Sequence, residues 1–88
     1  HVASIGAEVN LFHNPAADYV SITTDFEQMQ NNVTYIVTDA TGRVVYMENR
    51  AGIQNDVLTL DVANYAQGLY FVTIKTGEGT ATERFIKQ

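Results

Sequence analysis

Gly68-Leu69-Tyr70-Phe71-Val72-Thr73-Ile74-Lys75 puts Tyr70, Val72 and Ile74 on one side and Leu69, Phe71, Thr73 and Lys75 on the other. A side-chain period of two, filled by β-branched and aromatic residues, predicts a half-buried strand. Gly77-Glu78-Gly79 turns the chain, and Thr82-Glu83-Arg84-Phe85-Ile86-Lys87-Gln88 reads as a returning strand. This closing hairpin carries no group suited to catalysis, and its last residues are basic. It predicts a segment that a partner recognises rather than one that acts on a substrate.

The same period governs the chain upstream. Glu8 to Phe12 predicts a short first strand, broken at Asn14-Pro15 because proline removes a ladder donor. Asp18 to Thr24 places Val20 and Ile22 on one side. Val33 to Thr38 places Val33, Tyr35 and Val37 toward a core. Asp39-Ala40-Thr41-Gly42 is a turn signal, after which Arg43 to Met47 returns as the second arm of a hairpin. Val57 to Val62 presents Leu58, Leu60 and Val62 to one face, and Tyr65 drops its ring inward at a corner before Gly68. The polar stretches Asp25–Asn32 and Glu48–Asn55 read as loops. About seven short strands with turn signals every 8–12 residues and no helical periodicity predict an immunoglobulin-like antiparallel β-sandwich.

Bulk properties narrow the function. Eighty-eight residues suffice for one domain, and 45% hydrophobic against 17% charged residues argues against disorder. Five Lys and Arg against ten Asp and Glu leave no basic face for phosphates, so no nucleic-acid partner is expected. The absence of cysteine excludes disulfides and thiolate metal sites. The chain opens on His1 without a basic-then-apolar leader, and is read as a piece of something longer. Residues 1–8 are assigned as a linker and residues 9–88 as the domain.

Catalytic and metal chemistry find little support. His1 lies in the expected tail, and His13 would need distant carboxylates such as Glu8 and Asp18 to hold an ion. Ser4 and Ser21 lack a nucleophile motif, and Gly77-Glu78-Gly79 links strands instead of opening a helix. The carboxylates are scattered as solvated side chains would be. No enzyme activity, cofactor or metal is expected. Asn32-Val33-Thr34 matches a glycosylation sequon, a short pattern common by chance. Tyr19, Tyr46 and Phe71 could form a sugar platform only if exposed together. Lys75, Arg84 and Lys87 gather positive charge on the closing hairpin, either as edge protection or as a docking surface.

Several motifs, taken in order, resemble the C-terminal sorting domain of the type IX secretion system of Bacteroidota. Phe12-His13-Asn14-Pro15-Ala16-Ala17-Asp18-Tyr19-Val20 stands where that family has a strand ending in Asn-Pro. His13 occupies a position that is usually proline. Asp39-Ala40-Thr41-Gly42-Arg43-Val44-Val45 matches its Asp-x-x-Gly-Arg element. Gly68-Leu69-Tyr70-Phe71-Val72-Thr73-Ile74 matches Gly-x-Tyr-x-Val-x-Ile, and Arg84-Phe85-Ile86-Lys87-Gln88 matches its basic-apolar terminal strand.

The resemblance implies a domain carried on secreted cargo through the periplasm and recognised by the outer-membrane translocon. It implies delivery to the outer-membrane surface or beyond, and removal there by a sortase. Gly42, Arg43, Lys75, Arg84, Phe85, Ile86, Lys87 and Gln88 are then the recognition candidates, with Asn14, Pro15, Asp39, Gly68 and Tyr70 as structural motif residues. Translocon and sortase proteins are the implied partners, and exposed strand edges make a homodimer an expectation. The alternative is an immunoglobulin-like accessory module that binds carbohydrate or a cell-surface protein.

Overall fold

A computed structural model describes residues 2–3 and 6–88; His1, Ser4 and Ile5 lie outside the described residues. The described residues form strands β1 (Val2–Ala3), β2 (Ala7–Phe12), β3 (Tyr19–Asp39), β4 (Val44–Asp61), β5 (Gly68–Thr76) and β6 (Gly79–Lys87). All named strands pair antiparallel in a single sheet of order β1-β2-β3-β5-β6, with β4 on the other side of β3.

The long strand β3 organises everything. Its first part pairs β2 from Ala7↔Phe26 to Phe12↔Ser21, and its last part pairs β5 from Thr34↔Lys75 to Asp39↔Tyr70. β4 follows it along both parts. The sheet therefore curls into two halves that share β3 and β4. Buried residues of the first half include Val9, Val20, Ile22, Phe26, Leu58 and Leu60. They meet Val33, Tyr35, Val37, Val72, Ile74 and Phe85 of the second half in one core. The alternation expected for those segments is the one observed, because each strand has one face toward the facing half and one toward solvent.

Two expectations need correction. Asp25–Asn32 and Glu48–Asn55 are not loops but the middles of β3 and β4, so the expected seven strands merge into five, with the short β1 added ahead of them among the described residues. These polar runs pair with one another, at Asp25↔Asn55, Gln30↔Ile53 and Asn32↔Ala51. Four residues of β3, Phe26–Met29, oppose Gln54 alone between the first two of these pairs, an irregularity that bends the ribbon. Phe26 joins the core and Ile53 packs against it, but most other residues of these runs are exposed, where a paired ribbon needs no apolar face. Tyr65 is half-buried and packed against the core rather than enclosed in it.

Beside this bend a polar network adds to the apolar packing. The Tyr35 hydroxyl, on a fully buried ring, donates to Asp56 Oδ2 at 2.9 Å, so the 2.9 Å contact with Thr24 is donated by the threonine hydroxyl. Arg50 Nη1 donates to Asp56 Oδ1 at 2.7 Å, its Nε to Glu48, and its guanidinium lies 6.0 Å from the Tyr35 ring centroid. Tyr46 donates its hydroxyl to Glu48 as well. Burial pushes the Tyr35 hydroxyl up to about 12, and the Asp56 carboxylate adds to that by accepting its proton and by its charge. The Tyr46 and Arg50 bonds hold the Glu48 carboxyl below its ordinary value.

Candidate functional site

All four motif segments arrive at one end of the curled sheet. Asp39 pairs with Tyr70 across β3 and β5, and Tyr70 pairs with Phe85 across β5 and β6. One residue row further out stand the β3–β4 turn, the pair Leu69↔Ile86 and then Gly68↔Lys87. The Asn14-Pro15-Ala16 segment reaches the same end from β2. Ala16 bridges to Lys87 in parallel. The Asn14–Pro15 peptide bond is cis.

The β3–β4 turn is built around one carboxylate. Asp39 Oδ1 accepts from the Thr41 backbone N–H at 3.0 Å, the Thr41 hydroxyl at 2.6 Å and the Arg43 backbone N–H at 3.0 Å. Gly42 N–H donates to the Asp39 carbonyl at 3.0 Å, and Gly42 has φ +91°, where an L side chain is strained. The Thr41 hydroxyl bond, followed by the Arg43 and Thr41 backbone N–H groups and the Arg43 charge, holds the Asp39 carboxyl below its ordinary value. The Arg43 side chain, 3.3 Å from Asp39 Oδ2, remains 78% exposed. Turn geometry explains the aspartate and the glycine, and leaves the arginine head facing water.

The Gly-x-Tyr element fixes the terminal strand from beneath. Tyr70 stacks on Phe85 with ring centroids 5.4 Å apart and planes 12° apart, and lies 5.3 Å from Tyr65. Its hydroxyl donates to the Ala66 carbonyl at 2.7 Å, which ties the β4–β5 connection to the core. Gly68, at φ +139°, opens β5 in a conformation that side chains resist.

The terminal strand separates the recognition candidates by parity. Phe85 (0% exposed) and Lys87 (7%) point inward, while Arg84, Ile86 and Gln88 point outward. Lys87 Nζ donates to the Gln88 main-chain oxygen at 2.6 Å. Gly42 and Arg43 are exposed at the same end. Lys75 is exposed but pairs with Thr34 and Thr80, five rows away, at the opposite end of β5. At ~3.4 Å per residue the separation is about 17 Å. In the folded domain only Gly42, Arg43, Arg84, Ile86 and Gln88 of the candidate set offer side-chain or backbone surface here. The inward turn of Lys87 was readable from its parity with Phe85.

The candidates for other chemistry do not converge. Tyr19 is exposed and hydrogen-bonded to His13 Nε2 at 2.8 Å. Tyr46 shares the inward face with Val37, and Phe71 shares the outward face with Thr38, so the three rings make no aromatic row. Among the described residues no three His, Asp or Glu side chains gather as a metal-holding group. Among the described residues no helix is long and apolar enough to cross a membrane.

The motif segments of this all-β module thus meet at one sheet end. The family model described as the secretion system C-terminal sorting domain matches residues 10–88, and the chain belongs to that family. Membership implies a type IX secretion C-terminal sorting signal, and hence a cargo exported to the cell surface or extracellular space. A search of curated proteins found no match.

Proposed function

We propose that this domain is the address read by the type IX outer-membrane translocon, which engages it after periplasmic transit and delivers its cargo to the cell surface for cleavage by a sortase. The single observation that carries the reading is convergence. The Asp39–Arg43 turn, the Gly68 start of β5, the Asn14–Ala16 segment and residues 84–88 share one end of the sheet. Residues 72 positions apart in sequence are hydrogen-bonded there, as Asn14 is to Ile86. The exposed Arg43 and Arg84 supply charge, and Ile86 supplies an apolar contact. We further read the curled sheet as a variant of the immunoglobulin-like sandwich, supported by its two facing halves around a shared core.

Fusion of the domain to an inert reporter in a bacterium carrying the secretion machinery tests the proposal. The fusion is expected at the cell surface. Deletion of Phe85–Gln88 removes a core ring, so the decisive variant is Arg84→Glu with Ile86→Glu, which alters outward side chains only. That pair is expected to leave a folded domain and a reporter retained in the periplasm. Normal surface display of the pair would overturn recognition through this strand.

A further inference from the structure

The connection between β2 and β3 could simply turn at residues 13–18, but it departs to meet the far strand. Asn14 Oδ1 accepts the Ile86 backbone N–H at 3.0 Å. The Ala16 N–H donates to the Ile86 carbonyl at 2.8 Å, and the Gln88 N–H donates to the Ala16 carbonyl at 2.8 Å. Ala16 is fully buried beneath this contact, and pairs in parallel with Lys87. Three consecutive bonds thus occupy the outer edge of β6 at residues 86–88, where β6 would otherwise be held by β5 alone.

Alternation turns this edge clip into side-chain geometry. With the backbone of 86–88 fixed on both sides, Phe85 and Lys87 are committed inward, and Ile86 and Gln88 outward. Without the clip the last residues retain only Leu69↔Ile86 and Gly68↔Lys87, and a strand end held on one side frays. Asn14 is the part of the clip contributed by a side chain, an amide oxygen standing where a neighbouring strand would offer a carbonyl. Pro15 adds no donor of its own.

We infer that Asn14 is a positioning residue for export: its side chain acts through the Ile86 N–H to present Arg84, Ile86 and Gln88 in one orientation beside Asn14-Pro15. The inference rests on the sorting reading above. It makes the Asn-Pro segment and the terminal strand one composite surface instead of two independent motifs.

The test compares Asn14→Ala and Asn14→Asp, the latter keeping an acceptor oxygen at the same reach. On the purified full chain, Asn14→Ala is expected to speed hydrogen exchange at the Ile86 amide about tenfold, the loss of one net hydrogen bond, while the Val72 amide in the core is unchanged. On the reporter fusion it is expected to lower surface display at least about fivefold. Asn14→Asp is expected to restore both. Unchanged exchange at Ile86, normal display despite faster exchange, failure of the aspartate to rescue, or global unfolding of Asn14→Ala would each overturn the inference. Unfolding counts because it would make Asn14 a stability residue. Normal display of Asn14→Ala alone sinks this inference only, whereas normal display of the Arg84→Glu, Ile86→Glu pair sinks the sorting reading beneath it.

Discussion

The two ends of the curled sheet are fastened by different chemistry. At the bend of β3 and β4 the fastening is made of side chains: Thr24, Tyr35, Asp56, Arg50 and Glu48 form a chain in which each group satisfies the next. At the far end the clip on β6 is made of main chain, with Asn14 its one side-chain contributor, over an aromatic stack of Tyr70 and Phe85. A side-chain network specifies its members, because removing one strands a buried partner. A main-chain clip leaves the outward side chains at its positions unconstrained. The end proposed above as the recognition surface is thus the one whose last strand is held by backbone, and the bend is held by charged side chains.

The comparison can be broken at several points. Phe85→Ala deletes the ring beneath the clip, and should cost about 3–5 kcal/mol in a thermal or urea melt. Since ~1 kcal/mol moves the midpoint of a domain this size by roughly 4–8 °C, the shift should be large. A midpoint within about 1 °C of wild type would show that the terminal end is held without the stack.

Alkali probes the other end. Tyr35 titrates near 10 when unfolded and about 12 when folded, so its contribution is fully present below pH 10 and is lost between pH 10 and about 12. The unfolded chain releases that proton first, so stability falls as pH rises across the window, by on the order of 2 kcal/mol. Tyr46 and Tyr65 are also raised, and add to the same limb. Tyr35→Phe should therefore be less stable than wild type at neutral pH and flatter above pH 10. Parallel alkaline limbs for the two proteins would show that the Tyr35 hydroxyl is not the group being titrated.

The smallest effect concerns the Asp39 turn. No atom lies within 4 Å of a Cβ built on Gly42, so Gly42→Ala meets no clash and bears only the cost of its positive φ. About 1 kcal/mol or slightly more is expected in the same melts, with the alkaline limb unchanged. No change in midpoint would mean that the turn relaxes freely and lends the terminal end no rigidity.

Strand identity was legible in the sequence wherever one face is buried. Val33, Tyr35 and Val37, or Tyr70, Val72 and Ile74, announce themselves by period two and are all buried. The polar middles of β3 and β4 were not legible. Their evidence for being strands is each other, and a single-strand pattern carries no record of its partner. The convergence of the motifs was likewise hidden, since nothing near Asn14 signals an acceptor for Ile86. What the sequence did carry, unread, was parity: Phe85 faces the core, so Lys87, two residues on, must share its side.

The long reach between Asn14 and Ile86 has a consequence for biosynthesis. A ribosome releases residues 85–88 after every other part of the domain, and until then the core lacks a ring and the edge lacks its fastening. A prematurely terminated chain cannot assemble the finished shape. The folded module therefore forms only on chains translated through residues 85–88.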